Sequence, residues 1–124
     1  MQRAGIANIT RILGTEADPR LPEGTVDLVL MVDAYHEFSY PMEVMSHVHT
    51  ALSDRGKVVL VEYRGEDDSV PIKPRHKMTV KQATREMSAV GLELHDILDD
   101  LPWQHVMIFQ KSGDTRLQAM RERR

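Results

Sequence analysis

The sequence contains no cysteine among its 124 residues, and aromatic side chains make up only 5% of it. Without cysteine, neither a disulfide framework nor a thiolate metal site can form. No apolar run approaches the roughly 20 residues of a membrane span, and no apolar stretch of the signal-peptide kind follows the first charged residues. We therefore expect a soluble, cytoplasmic protein without a membrane partner.

The charge balance limits the partners further. A formal net charge of −3 at pH 7 argues against a general nucleic-acid-binding surface, although the end of the chain, RLQAMRERR, is locally basic. Two units are predicted: a domain over residues 1–111 and a basic, helical tail over residues 112–124. A domain of this length buries about two-thirds of the surface of its unfolded chain, so it should fold without covalent cross-links.

The apolar pattern of the first half predicts strands joined by a helix. A short strand is expected at Asn8–Leu13. A second strand, Val26–Asp33, is apolar without alternation, as in a strand that is covered on both faces. The segment SYPMEVMSHVHTAL then has helical spacing with a proline near its first turn, and a turn at Asp54–Gly56 leads into a third strand, Lys57–Tyr63.

The second half continues this series. Thr79 and Gln82 match a capping box, and Gly91 is a typical helix end, so a helix is predicted between Thr79 and Gly91. The segments LELHDIL and HVMIFQK are too close together for a crossover helix and should form antiparallel strands. The prediction is therefore an α/β fold whose sheet is mostly parallel, with a C-terminal antiparallel hairpin and helices on both faces.

Parallel sheets of this type bind ligands beyond the carboxyl ends of their strands. Residues Asp33–Phe38 leave one strand at this edge, and Glu62–Arg64 leave the next. The following loop carries Arg75 and His76, and the antiparallel last strand should bring Trp103–His105 to the same edge. We call these residues together the rim, and we expect their ionisable side chains to converge.

The segments VDLVLMVDAYHEF, KVVLVEYRGED, IKPRHKM and LPWQHVMIF together resemble the later part of class I S-adenosylmethionine-dependent methyltransferases. More narrowly, they resemble bacterial small-molecule methyltransferases of the type 11 kind, over nearly the whole chain to about Lys111. The resemblance implies a truncated Rossmann-like methyltransferase sheet in residues 1–111. It also implies S-adenosylmethionine as the cofactor and a small molecule as the substrate.

The resemblance also suggests residues that bind the cofactor. The loop that holds Thr15, Glu16 and Asp18 matches the segment that lies by the adenine in the family. The residues after the strand, beginning with Asp33 and Ala34, match the segment near the reactive methyl group.

One part of the family's pattern is missing from the sequence. The family begins with a strand, a G-x-G-x-G turn, a helix and a second strand, and the turn approaches the cofactor. The seven glycines here are scattered at positions 5, 14, 24, 56, 65, 91 and 113, and no pair lies close enough to form such a turn. The resemblance therefore implies that the usual cradle for the methionine and ribose portions is absent from this sequence.

The missing first strand has a second consequence. In the family it lies beside the strand that corresponds to Val26–Asp33, which is therefore predicted to be a long, apolar, unpaired edge. Exposed edges of this kind pair with another chain. We expect a homodimer, formed either by pairing of these two edges or by exchange of Asn8–Leu13 between subunits.

The candidate catalytic residues are His36, Glu37, Tyr35 and His76. His36 beside Glu37 is a candidate general base with its partner, because imidazole titrates near neutrality and a carboxylate stabilises its charged form. Glu62 remains open, as a substrate or metal ligand or as an ion-pair partner of a neighbouring basic residue.

A metal site is not predicted, because the histidines lack the short spacing of a known metal motif. If a metal were present, its ligands would come from His36, Glu37, Glu62, His76 and His105.

Three classes of function follow. The first is methyl transfer to a small molecule, with His36 or Glu37 removing a proton from the acceptor. The second is metal-assisted hydrolysis at the rim of a dimer. The third is a non-catalytic fragment or interaction module, which should tolerate alanine at His36, Glu37 and His76.

Overall fold

Strands and helices alternate along most of the chain. The computed structural model describes Gly5 and residues 7–113, and within them no helix is long and apolar enough to cross a membrane. The elements in chain order are β1 (Val26–Val32), a first 3₁₀ turn (Tyr35–Glu37), α1 (Pro41–Ala51), β2 (Leu52–Arg64), a second 3₁₀ turn (Pro74–His76), β3 (Lys77–Met78), α2 (Val80–Ser88), β4 (Leu92–Leu98) and β5 (Gln104–Lys111).

The strands form one mixed sheet in the order β1-β2-β5-β4, and the short β3 pairs with the end of β2 beyond β1. β1 runs parallel to β2, from Leu28 opposite Lys57 to Val32 opposite Val61. β5 runs antiparallel to both β2 and β4, so it is the one described strand of reversed direction. The predicted α/β sheet with its antiparallel hairpin is confirmed.

Both described helices pack on the same face of this sheet. Buried side chains of α1 and α2 share one cluster with alternate residues of β2 and β5, such as Leu60 and Met107. Two right-handed crossovers that progress in the same direction place their helices on one face. The helices predicted for the second face are not found among residues 7–113. On that face Leu28, Leu30 and Val32 are between 52% and 60% exposed.

Two local predictions are wrong. Asn8–Leu13 is not a strand, and it pairs with no strand in the described part of the chain. Its apolar residues are largely exposed, and a short apolar segment becomes a strand only when a neighbour satisfies its backbone groups. The expected turn at Asp54–Gly56 is instead an irregularity inside β2, where the register changes between Val26 and Leu28 of β1. Gly56 is required there, because a Cβ would lie 2.8 Å from the carbonyl oxygen of Val26.

The termini of α2 follow the sequence closely. The hydroxyl of Thr79 accepts a hydrogen bond from the backbone N–H of Gln82 at 3.0 Å, as an N-cap should. After the helix, Gly91 adopts a φ of 80°, which favours glycine. The predicted tail helix lies almost entirely in residues 114–124, outside the described part of the chain, and stays a prediction.

Candidate functional site

The carboxyl end of β1 turns sharply into the rim. Asp33 adopts a φ of 51°, a left-handed conformation that aspartate tolerates better than most residues. Its backbone N–H still donates to the carbonyl of Val61 at 2.8 Å, so the strand pairing continues up to the turn. The next residues form the first 3₁₀ turn, which directs His36 towards the end of β2.

A buried hydrogen bond joins His36 to Glu62. The distance from Nδ1 of His36 to Oε1 of Glu62 is 2.6 Å, and the Glu62 side chain is fully buried. Burial raises the pKa of Glu62; the bond from His36 opposes this effect in part, and the nearby carboxylate of Asp33 adds to it. As a carboxylate, Glu62 only accepts, so His36 carries its proton at Nδ1 and presents a lone pair at Nε2.

Two further side chains surround this lone pair, and we call His36, Glu37 and His76 the His-Glu-His cluster. Nε2 of His36 lies 3.3 Å from Nδ1 of His76 and 3.7 Å from Oε1 of Glu37. Nδ1 of His76 lies 3.9 Å from the same Glu37 oxygen. The first 3₁₀ turn supplies two of these residues. The second, which begins with Pro74, supplies the third.

A second pair of histidine and glutamate lies in the same region but has a different environment. Nε2 of His105 is 2.7 Å from Oε1 of Glu66, whose other oxygen accepts the backbone N–H of Val80 at 2.8 Å. Burial would raise the pKa of Glu66, but these two hydrogen bonds outweigh it and lower that pKa. The guanidinium of Arg64 lies 3.4 Å from Nδ1 of His105. This pair ties β5 to the start of α2 and does not belong to the His-Glu-His cluster.

A cavity of about 250 Å³ opens beside His36. Its lining combines aromatic, acidic and basic side chains from both 3₁₀ turns, β3 and both helices. The lining residues are Tyr35, His36, Phe38, Pro41, Arg75, Lys77, Met78, Gln82 and Glu86.

Tyr35, a predicted catalytic residue, lies in the wall of this cavity. It is only 2% exposed, and its hydroxyl donates to Oε1 of Glu86 at 2.8 Å. Burial raises the pKa of Tyr35, and the bond to Glu86 raises it further, so the phenol keeps its proton. Tyr35 therefore supports the cavity and is not placed as a base.

The predicted cofactor residues fall in two places. The carboxylate of Asp33 accepts two contacts from the amide nitrogen of Gln104, at 2.9 and 2.8 Å, and Ala34 begins the first 3₁₀ turn. Thr15 and Asp18 instead close a turn on each other, and Glu16 is exposed within it.

In this turn, Oδ1 of Asp18 lies 3.8 Å from Nδ1 of His47 on α1. In the described part of the chain, no hydrogen bond or ion pair joins it to Asp33.

Reasoning from sequence missed two contacts of the rim. Glu62 was expected to pair with a basic neighbour or a ligand, and it pairs with His36 instead. A signal was present, because Glu62 shares the face of Val58 and Leu60 on an otherwise apolar strand, where a charge requires a partner. The contact between Gln104 and Asp33 had no such signal.

The comparisons with known proteins identify the fold of this chain. No family model matches the chain, and no curated protein matches it. Among solved structures, a methyltransferase of Aquifex aeolicus dependent on S-adenosylmethionine matches 87% of this chain, with a TM-score of 0.76 and 15% identity. A type 11 methyltransferase of Sulfolobus solfataricus matches 76% of it, with a TM-score of 0.67 and 19% identity. The trans-methyltransferase CalH, solved with S-adenosylhomocysteine, matches 82% of it, with a TM-score of 0.66 and 20% identity.

The matches cover only part of those proteins. The chain spans 57% of the Aquifex protein, 54% of the Sulfolobus protein and 35% of CalH. At these identities the likeness shows the fold alone. Activity has to be argued from the residues of the site.

Proposed function

We propose that this chain, whose fold is that of the class I S-adenosylmethionine-dependent methyltransferases, acts in methyl transfer to a small molecule. The observation that carries the proposal is the hydrogen bond between buried Glu62 and His36, which lies at the carboxyl ends of two parallel strands and beside a cavity. Ligands of open α/β sheets bind at this end of the strands.

His36 is placed to remove a proton from the acceptor. Its Nδ1 proton is held by Glu62, so Nε2, which lies 3.3 Å from Nδ1 of His76, is the nitrogen that accepts a second proton once that contact opens. When the ring becomes positively charged, the neighbouring carboxylate stabilises it, as in other pairs of histidine and carboxylate. S-adenosylmethionine, when bound, would supply the methyl group.

The cavity indicates a small acceptor. Its volume of about 250 Å³ lies just below the range of about 300–1,000 Å³ of typical ligand pockets. Arg75 and Lys77 on its lining favour an acceptor with a negatively charged group. Gln82 and Glu86, both on α2, add polar side chains to the same lining.

The residues fit the cofactor only in part. Asp33 and Ala34 are half-buried at the end of β1, where the resemblance places the reactive methyl group, but the carboxylate of Asp33 is engaged by Gln104. The sequence has no glycine-rich turn for the methionine and ribose portions. The steps assigned here to His36 and Glu62 therefore do not depend on a particular placement of the cofactor.

The two other classes of function gain no support from the solved structures that the chain resembles. Metal-assisted hydrolysis and a non-catalytic role both remain outcomes of the test below.

Calorimetric titration of S-adenosylhomocysteine into the chain tests the proposal directly. We expect saturable binding that weakens in Asp33→Asn and is unchanged in His95→Ala, a variant of an exposed histidine on β4. Methyl transfer from labelled S-adenosylmethionine to a panel of small anionic acceptors should then be lost in His36→Ala. Absence of binding at millimolar cofactor would reject the proposal for this chain.

We further propose that two copies of the chain associate through β1. In the described part of the chain, β1 is an edge strand, and three of its apolar side chains are more than half exposed. A second copy would pair with this edge and cover part of that apolar surface. Because Asn8–Leu13 is not a strand, pairing of the β1 edges is favoured over strand exchange.

A further inference from the structure

We propose that the His-Glu-His cluster binds a divalent transition metal of the Zn²⁺ type. Its members offer two imidazole nitrogens and one carboxylate oxygen, which are the ligand types of catalytic zinc sites with three protein ligands. All three atoms lie within 4.8 Å of one another, and no other group of this kind is found among the described residues.

The distances fit the size of the ion. A point equidistant from three atoms separated by 3.3, 3.7 and 3.9 Å lies about 2.1 Å from each, and bonds from Zn²⁺ to nitrogen and oxygen are about 2.0–2.2 Å long. The side chain of Glu37 is 65% exposed and can move slightly closer to the two histidines. The ion would then lie out of the plane of the three ligand atoms. A fourth position then opens for water or an oxygen of a ligand.

The hydrogen bond from His36 to Glu62 prepares one ligand for the ion. Histidines that bind metals usually donate their other N–H to a carboxylate, which fixes the tautomer and orients the ring. Here Nδ1 lies 2.6 Å from Oε1 of Glu62, which holds its proton, and Nε2 lies 3.3 Å from Nδ1 of His76 and 3.7 Å from Oε1 of Glu37. The side chain of His36 that forms this hydrogen bond is only 8% exposed.

Without an ion, the simplest account of the 3.3 Å contact is a hydrogen bond from Nδ1–H of His76 to Nε2 of His36. Metal binding requires the proton of His76 to move to Nε2 of the same ring, which leaves both imidazoles neutral. The charge of the ion is then balanced by the carboxylates of Glu37 and Glu62. Oε1 of Glu37, at 3.7 and 3.9 Å from the two ring nitrogens, is beyond hydrogen-bond length and would close on the ion as its third ligand.

The pair formed by His105 and Glu66 has a structural role and serves as a comparison within the same protein. His105 has a guanidinium 3.4 Å from its Nδ1, and Glu66 uses its second oxygen to hold the start of α2. A cation at that position disfavours a metal ion. The lone pair of His36 faces another imidazole and a carboxylate instead.

The role of the ion in catalysis rests on the proposed function, whereas metal binding does not. An ion in the cluster would coordinate an oxygen of the acceptor and lower its pKa, as metal ions do for bound water. With the ion bound, Nε2 of His36 is a ligand, which replaces its role as the base of the metal-free chain, and the proton of the acceptor would leave to solvent. His36 is the member of the cluster that also lines the cavity, so the acceptor would be a small hydroxylated anion that fits the cavity and reaches the ion beside His36.

Calorimetric titration of Zn²⁺ into chelator-treated, dialysed protein tests the site without cofactor or acceptor. We expect one strong site per chain, weakened about tenfold or more in His76→Ala and in Glu37→Gln, since loss of an outer partner alone costs about 10–100-fold. Both side chains are partly exposed, so these variants should fold. Co²⁺ should give the visible absorption of a tetrahedral site with nitrogen and oxygen ligands.

The control variant is His95→Ala, which removes an exposed histidine outside the cluster and should leave the affinity unchanged. Absence of strong binding to the folded wild type would overturn the proposal, as would the same affinity in wild type and both ligand variants. Titration of S-adenosylhomocysteine into the same preparations separates this result from the proposed function. Cofactor binding without Zn²⁺ binding rejects only the metal site, and the reverse rejects only methyl transfer.

Discussion

Replacement of Glu62, the partner of His36, by glutamine should change the stability of the fold and its affinity for Zn²⁺ in opposite directions. Glu62→Gln keeps an oxygen that accepts the Nδ1 proton but removes the negative charge. Because burial raises the pKa of Glu62 despite the bond from His36, the charged form is disfavoured by folding. The neutral variant should therefore be at least as stable as the wild type at neutral pH.

The magnitudes follow from the environment of the pair. A hydrogen bond to a charged group contributes about 1.5–3 kcal/mol and one between neutral groups about 0.5–1.5 kcal/mol, so the substitution weakens the bond by about 1 kcal/mol. Relief of a fully buried charge is worth on the order of several kcal/mol after the protein has relaxed around it. The amide nitrogen takes the place of Oε2, which has no partner in the described residues, and an unpaired buried donor costs about 1–3 kcal/mol. The net expectation is a gain on the order of 1 kcal/mol.

Function should move in the opposite direction. Loss of the carboxylate that supports His36 should lower the affinity for Zn²⁺ about 10–100-fold. Urea unfolding of the metal-free protein and calorimetric titration of Zn²⁺ measure the two effects in the same preparation.

Glu66→Gln is the matched control, because Glu66 also accepts a hydrogen bond from a buried histidine. It holds the backbone N–H of Val80 as well, and an amide that keeps this bond through its oxygen can no longer accept a proton from His105 through its nitrogen. This variant should lose about 1–2 kcal/mol of stability and leave the affinity for Zn²⁺ unchanged. A Glu62→Gln variant that is clearly destabilised and binds Zn²⁺ like the wild type would refute the reasoning.

Three further predictions concern other parts of the molecule. The pKa of Glu66 is held below its ordinary value of 4.5 in the folded protein, so the stability that it contributes is present above that value and is lost as the pH falls through the folded pKa. Urea unfolding between about pH 5 and pH 3 should show a smaller loss in Glu66→Gln, and an equal loss would contradict this assignment. Tyr35→Phe should cost about 0.5–1.5 kcal/mol by removing the bond to Glu86, with unchanged binding of Zn²⁺. A tenfold fall in metal affinity would instead place the hydroxyl in the site. Leu30→Lys should convert a dimer into a monomer in sedimentation velocity, because lysine on an edge strand opposes pairing. Wild-type protein that sediments as a monomer at micromolar concentration would rule out association through β1.

The sequence by itself determined most of the element order. The apolar run of β1, the cap at Thr79 and the glycine after α2 depend on residues that are neighbours in the chain, so local rules identified them. The direction of the strands also placed Asp33, Glu62 and Gln104 at one edge of the sheet. Local rules fail at Asn8–Leu13, because its apolar pattern is that of a strand but a segment forms a strand only when a neighbouring strand pairs with it.

Only the tertiary structure decided which side chains meet. Nothing in the local sequence selects His36 as the partner of Glu62, 26 positions away, and His76 reaches His36 only through the second 3₁₀ turn. The sequence also placed His105 in the same candidate metal set, and the structure assigns it to Glu66. Contacts within about 3 Å depend on the packing of helices, turns and strands against one another, and local patterns carry no information at that distance.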